Sequence, residues 1–130
     1  MRDEVEEKDD LTILDTDRLF RRVPPNQWIT FSDGTSRISS SLFKHERMSI
    51  NIESLMIQQA RRPEDTLQGY PTHYLTSIIA AEVRKFALPI VKDTDPPNDP
   101  AHGLVLGKKK DSFANAMVRS HKWIVEPPKS

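Results

Sequence analysis

The chain has 130 residues, with 19 acidic and 19 basic side chains and no cysteine. This length fits one domain with one hydrophobic core. The lack of cysteine excludes disulfides, thiolate metal sites and cysteine nucleophiles. The longest apolar run, residues 78–81, is too short to span a membrane. The polar N-terminus does not have the pattern of a signal peptide. We therefore expect a cytoplasmic protein.

The charge is unevenly distributed along the chain. Residues 1–17 carry eight acidic and two basic side chains, and the remainder has a surplus of six basic ones. This pattern predicts a disordered acidic arm over residues 1–12 and a single domain over residues 13–130. In an alternative interpretation, the arm folds over the basic body and competes with an anionic partner.

The first half of the domain has the pattern of strands and turns. Strands are predicted at 19–23, 28–31 and 48–52, the last because apolar and polar residues alternate there. The Asp-Gly pair within residues 32–35 is typical of a tight turn. Residues 37–43 are then expected to pair back as the second strand of a hairpin.

The second half mixes helices and strands without a regular alternation. The predicted elements are a helix over 53–61, a loop over 63–72, a strand passing into a helix over 74–86, strands at 90–91 and 103–106, a helix capped by Asp111 or Ser112, and a strand at 123–125. The predicted fold class is α+β: a single small domain with a mostly antiparallel or mixed sheet and two or three short helices.

The common catalytic and nucleotide-binding motifs are missing. The sequence has no P-loop, no G-x-G-x-x-G, no G-x-S-x-G, no H-E-x-x-H and no EF-hand loop. Its four histidines do not pair with one another or with acids at zinc-ligand spacing. We therefore predict no metal site and no cofactor.

His102 and Asp99 are the first candidate site residues. They lie in the loop 94–102, which contains three prolines and which we expect to hold both side chains in fixed positions at one end of the sheet. A histidine in this position can act as a catalytic base or bind an anion near neutral pH. Alternatively, its ring bonds a backbone carbonyl and locks the loop.

Arg21 and Arg22 are the next candidates, as ligand-binding residues. Neighbouring residues of a strand point to opposite faces, so one of the two should lie near the core or a cleft. A partly buried arginine needs a carboxylate, a carbonyl or an anionic ligand. The structural alternative is a pair with an acid such as Asp17 or Glu82.

Two polar segments add further candidates. Ser39 and Ser40, on a predicted strand, have hydroxyls that can bind phosphate or ribose oxygens, although serine runs are often only turns or edge strands. The lysine run 108–110 near Arg119 can contact nucleic acid, or it is simply a solvated turn.

Four motifs together resemble a family of small bacterial proteins. They are Arg21-Arg22-Val23-Pro24, Ser39-Ser40-Ser41-x-Phe43, Met48-Ser49-Ile50 and Pro100-Ala101-His102-x-x-Val105-x-Gly107. The resemblance covers residues 15–126 and implies only that these motifs belong to the common domain.

An arginine on an early strand, followed by a serine-rich strand, is also similar to ADP-ribosyltransferase-like folds. This similarity implies that Arg21 or Arg22 and Ser40 bind NAD. The late acidic position would then fall on Glu82 or Glu126.

Two functional hypotheses follow. The first is a small binding or interaction module that acts with a protein partner or a second copy of itself. The alternative is a small transferase or hydrolase for a nucleotide-like anion, with His102 as the catalytic residue. A pocket that joins His102 to an arginine and an acid favours the enzyme. Separation of His102 from both arginines and from residues 39–41 would exclude it.

Overall fold

The computed structural model describes residues 8–93 and 99–128. The strands are β1 (Arg18–Val23), β2 (Trp28–Thr30), β3 (Ser36–Ile38), β4 (Arg47–Ile52), β5 (Tyr74–Ile79), β6 (Ile90–Lys92), β7 (His102–Leu106) and β8 (Lys122–Val125). The helices are α1 (Glu53–Gln58), α2 (Ala80–Arg84) and α3 (Asp111–Ser120). Within the described ranges, no helix is both long and apolar enough to cross a membrane.

Six strands form one antiparallel sheet in the order β6-β7-β4-β1-β5-β8, and β2 pairs with β3 in a separate hairpin. The α+β prediction is therefore confirmed. Strand β1 lies inside the sheet, between β4 and β5. The change from strand to helix predicted within residues 74–86 occurs between β5 and α2.

The predicted return strand over residues 37–43 is wrong beyond β3. Residues Ser40–Phe43 instead form a 3-10 turn, and Leu42 and Phe43 are buried. The side chain of Ser39 accepts a hydrogen bond from the Ser41 backbone N–H, at 3.3 Å. Such local bonds compete with strand pairing and favour a turn.

The predicted cap of α3 is also wrong. The helix is preceded by Lys110, which makes no capping side-chain bond, and Asp111 lies in the first turn. There its carboxylate forms an ion pair with Lys44. A carboxylate in the first turn is also favoured by the partial positive charge of the helix N-terminus.

The core has a larger and a smaller part. The larger cluster includes Leu19 and Val23 of β1 and packs against Phe43 and Phe113, which belong to the 40–43 turn and to α3. Alternation along β1 places Phe20 on the opposite face. The smaller cluster there consists of Phe20, Met56, Leu75 and Ala101. Both faces of the central strand are therefore covered.

The lysine run is not one solvated surface. Lys109 is 7% exposed, whereas its neighbours Lys108 and Lys110 are exposed. The Lys109 ammonium donates to the carbonyls of Glu46 at 3.1 Å, Val105 at 2.6 Å and Gly107 at 2.8 Å. Burial, assisted by the nearby charge of Arg21, lowers the pKa of Lys109 to about 8. This lysine stabilises the β4–β7 end of the sheet.

The segment before β1 is tied to the domain from Asp9 onward. The Asp9 carboxylate contacts Arg84 Nε at 2.9 Å and accepts a hydrogen bond from the Ile90 N–H, at 2.9 Å. Residues 1–7 lie outside the described residues, so for them the acidic arm stays a prediction.

Asp17 joins this segment to α1. Its buried carboxylate accepts bonds from the backbone N–H of Leu14 at 2.9 Å, and from the backbone N–H and hydroxyl of Ser54 at 2.8 and 3.0 Å. Ile52, the residue before α1, has no side chain that can cap the helix. Asp17 therefore satisfies a free N–H group of the first turn from a distant part of the chain.

Replacing Asp17 by Asn should lower the free energy of unfolding by about 2 kcal/mol. The amide keeps the shape but loses the charge and turns an NH₂ group toward donors. Urea unfolding followed by circular dichroism measures the change. The control is Asp15→Asn, because Asp15 is an exposed ion-pair partner of Arg84 and should cost less than about 1 kcal/mol. Equal losses would contradict the assigned role of Asp17.

Candidate functional site

The register of the central strands places Arg22 and His102 on one face of the sheet. His102 of β7 is paired with Asn51 of β4, which is paired with Phe20 of β1. Paired residues share a face, and so do residues two apart in a strand. Arg22 therefore lies on the same face as His102. It belongs to β1, which is separated from β7 by β4.

A cavity of about 360 Å³ opens on this face. We call it the Arg22 pocket. It is lined by Arg22, Arg61, Asp65, Thr66, Gln68, Tyr70, Asp99 and His102. The segment 61–70 forms one wall and contains a short 3-10 turn, Pro63–Leu67. The Asp65 carboxylate accepts a 2.8 Å hydrogen bond from the N–H of Arg62, the residue just before this turn.

Arg22 is the fixed cation of the pocket. Its guanidinium lies 3.9 Å from the centre of the Tyr70 ring, and Nη1 donates to the Thr66 carbonyl at 3.0 Å. This stacking on the ring is a cation–π contact that orients the guanidinium plane. Among the described residues, no carboxylate lies within ion-pair distance of it. Its other N–H groups remain able to bind a ligand.

Arg61 is held differently, by an acid. Its Nη1 lies 3.3 Å from Asp99 Oδ1 and 3.2 Å from Gln59 Oε1. The same Asp99 oxygen accepts a 3.2 Å bond from the Ala101 N–H. Asp99 therefore compensates Arg61 and at the same time holds the chain that enters β7.

His102 is anchored through one ring nitrogen. Nδ1 lies 3.0 Å from the Asp93 carbonyl and 3.2 Å from its carboxylate, which is the contact expected of a histidine that locks the loop. The backbone bonds His102 N–H to Asp99 O and Asp93 N–H to His102 O fix the same turn. Nε2 has no hydrogen-bond partner in the described part of the chain. Residues 94–98 of the predicted rigid loop lie outside that part.

A buried amide adds to the polarity of this face. Asn51 is 2% exposed, and its Nδ2 has no partner among the described residues. It lines a cavity of about 30 Å³ together with Arg22 and Thr66, both of which also line the larger pocket. A buried hydrogen-bond donor without a partner lowers the free energy of unfolding, and this unpaired amide belongs to a residue beside the Arg22 pocket.

Arg21 lies on the other face, as strand alternation predicts. Its Nε donates to the Leu42 carbonyl at 3.0 Å and its Nη1 to the Ser49 carbonyl at 2.8 Å. Burial, followed by the charge of Arg22, lowers the pKa of Arg21 to about 10. The acids suggested as partners are engaged elsewhere, Asp17 with Ser54 and Glu82 with Lys85.

Ser39 and Ser40 do not reach the Arg22 pocket. They line a separate cavity of about 580 Å³, whose other walls include Arg37 of β3 and Arg119 of α3. The structure thus brings together three of the six predicted site residues: Arg22, Asp99 and His102. The two serines follow β3, which belongs to the separate β2–β3 hairpin and not to the six-stranded sheet that carries the Arg22 pocket.

Sequence reasoning missed Arg61, Asp65 and Tyr70. They lie in a segment without periodicity, which was predicted only as the end of a helix and a loop. The Arg-Arg-Pro-Glu-Asp run at 61–65 is the one local signal, and it does not indicate which strand it contacts. Among the described residues, no group of three or more His, Asp or Glu side chains is placed to hold a metal ion.

Comparisons with protein-family models, with curated proteins and with solved structures give no match. The resemblances to a bacterial family and to ADP-ribosyltransferase-like folds therefore stay predictions.

Replacing His102 by Ala should lower the free energy of unfolding by about 1 kcal/mol, because the hydrogen bond to Asp93 is lost. Urea unfolding measures this. The matched control is His73→Ala, since the Nδ1 of His73 lies as far as 3.4 Å from its nearest partner, the Thr72 hydroxyl. It should cost less than about 0.5 kcal/mol. If His102→Ala were as stable as wild type, the ring would not lock the loop.

Proposed function

We propose that the chain is a ligand-binding module whose ligand is a small, nucleotide-like anion held in the Arg22 pocket. The observation that carries this proposal is the set of contacts that Arg22 makes, which includes no acid of the described residues. Tyr70 and Thr66 fix its guanidinium, yet no carboxylate of the described residues compensates its charge. A phosphate or carboxylate group of a ligand would do so through paired, charge-assisted hydrogen bonds.

The remaining lining residues favour a ligand that also donates hydrogen bonds. Asp65, Asp99 and Gln68 line the pocket, and carboxylate and amide oxygens accept hydrogen bonds. Ribose hydroxyls or the amino group of a base suit such acceptors. The volume of about 360 Å³ is at the lower end of the range of small-molecule sites, about 300–1,000 Å³.

Binding explains the pocket better than covalent catalysis. The described residues that line it include no serine or cysteine. The Thr66 hydroxyl donates to the sulfur of Met56 at 3.5 Å, so it is turned away from the pocket. The residues present supply recognition but no activated nucleophile.

Two observations support the enzymatic alternative, a small transferase or hydrolase. The Arg22 pocket joins His102 to an arginine and an acid, which is the arrangement expected of the enzyme, and the His102 ring is oriented. His102 Nδ1 is held by Asp93, which orients the ring and leaves Nε2 without a partner among the described residues. This arrangement suits a general base that activates water or a substrate hydroxyl. Turnover of a bound nucleotide, abolished by His102→Gln, would favour this second function.

Isothermal titration calorimetry tests the binding proposal, with adenosine monophosphate, adenosine and inorganic phosphate as probes. We expect the nucleotide to bind saturably and adenosine to bind more weakly, because it lacks the anionic group. Arg22→Gln should weaken nucleotide binding at least tenfold. The loss of a charge-assisted bond costs about 1.5–3 kcal/mol, and about 1.4 kcal/mol corresponds to a factor of ten.

Arg37→Gln is the matched control. Arg37 also lies over an aromatic ring, 4.6 Å from the centre of Phe31, but it lines a different cavity. This variant should bind as wild type does. The absence of saturable binding by any probe, or equal loss in both variants, would contradict the proposal.

The roles with a protein partner, a second copy of the chain or nucleic acid stay predictions. So does the cytoplasmic location.

A further inference from the structure

A second cleft lies at the end of the sheet where β1 ends and β4 and β5 begin. It has a volume of about 370 Å³ and is lined by Arg21, Arg22, Gln27, His45 and His73, among others. We call it the Arg21 cleft. Arg22 is its one residue shared with the Arg22 pocket. No carboxylate of the described residues lines it, in contrast to the Arg22 pocket.

We propose that the Arg21 cleft is a binding site for a dianionic phosphate group, free or on a small ester. It is a site separate from the Arg22 pocket. Among the described residues, only the carbonyls of Leu42 and Ser49 hold the partly buried guanidinium of Arg21. Carbonyl dipoles compensate a buried cation incompletely, and a buried charge is costly without an opposite charge. A phosphate in the cleft supplies that charge.

The other side chains of the cleft are suitable donors. His45 has no hydrogen-bond partner among the described residues, and His73 makes only the long contact to Thr72 besides an edge-to-face contact with the Tyr70 ring. The Gln27 side-chain oxygen accepts from the Ser41 hydroxyl at 2.8 Å, which leaves the amide NH₂ as its free end. Arginine, histidine and amide N–H groups are the usual ligands of phosphate oxygens.

The electrostatics of the cleft agree with this assignment. The pKa of His45 is lowered by burial and then by the charges of Arg21 and Lys109. The same positive charge of Arg21 lowers the pKa of Lys109. Arg21 and Arg22 thus place positive charge in a cleft whose described lining contains no acid, which favours an anion. Glu46, outside this lining, acts on Lys109 in the opposite direction and partly offsets the lowering of its pKa by burial and Arg21.

The test is calorimetric titration with inorganic phosphate and with glycerol 3-phosphate, and with glycerol as the uncharged control. We expect saturable binding of both phosphates and none of glycerol. Tighter binding of the ester would identify the bound group as part of a larger metabolite, whereas equal affinities would identify the free ion as sufficient.

Two variants locate the site. Arg21→Lys, which keeps the charge but loses the fork of N–H groups, and His73→Ala, which removes the ring donor, should each weaken phosphate binding about tenfold. His73 lies near the surface and is not in the core clusters, so the second variant stays informative if the first does not fold. Arg61→Gln, in the Arg22 pocket alone, should leave phosphate binding unchanged.

Two results would overturn the inference. One is a lack of saturable phosphate binding by the wild-type protein. The other is binding that Arg61→Gln removes and His73→Ala does not, since the phosphate would then lie in the Arg22 pocket. That second result would leave the proposed nucleotide-binding function intact, whereas failure of nucleotide binding alone would leave the Arg21 cleft unaffected.

Discussion

Strand β1 lies in the middle of a sheet covered on both faces, and it carries two adjacent arginines. Because strand residues alternate, one guanidinium must enter each face, Arg21 on the side of α3 and Arg22 on the side of α1. Neither has a carboxylate partner among the described residues; backbone carbonyls and one aromatic ring hold them instead. Both cavities considered as binding sites are organised around these two charges.

The contacts of the other half-buried arginines of the described residues make this pair distinctive. Arg18, at the start of the same strand, forms two short hydrogen bonds with Glu53. Arg84 contacts the carboxylates of Asp9 and Asp15, which tie the N-terminal segment to α2. Acidic side chains therefore form ion pairs with these two arginines, which stabilise the fold. Arg21 and Arg22 lack them, which is the arrangement expected where a ligand supplies the negative charge.

The strands were predictable because local patterns determine them. Alternation over residues 48–52, the Asp-Gly turn and the glycines around residues 104–106 each indicate a strand or its end without reference to the rest of the chain. Alternation also predicted that Arg21 and Arg22 would separate. The strand prediction failed for the Ser39-Ser40 segment, because the hydrogen bond from the Ser41 N–H to the Ser39 side chain competes with strand pairing.

The pockets were less predictable because they depend on contacts distant in sequence. Thr66 and Tyr70 meet Arg22 only after the segment that follows α1 folds back over β1 and β5. Similarly, Lys109 donates to a carbonyl of β7 and to the carbonyl of Glu46, which lies just before β4 and is far away in the sequence. A single sequence shows no spacing that would reveal either arrangement.

If the proposed function is correct, the guanidinium of Arg22 binds the anionic group of the ligand. The most direct measurement is a two-dimensional NMR titration of the arginine Nε–H signals with adenosine monophosphate, assigned by single arginine-to-lysine variants. The account predicts that the Arg22 signal shifts saturably. The Arg37 signal stays in place, because Arg37 lies over the Phe31 ring outside the pocket. Unchanged Arg22 and shifted Arg37 signals, or no shift at all, would contradict it.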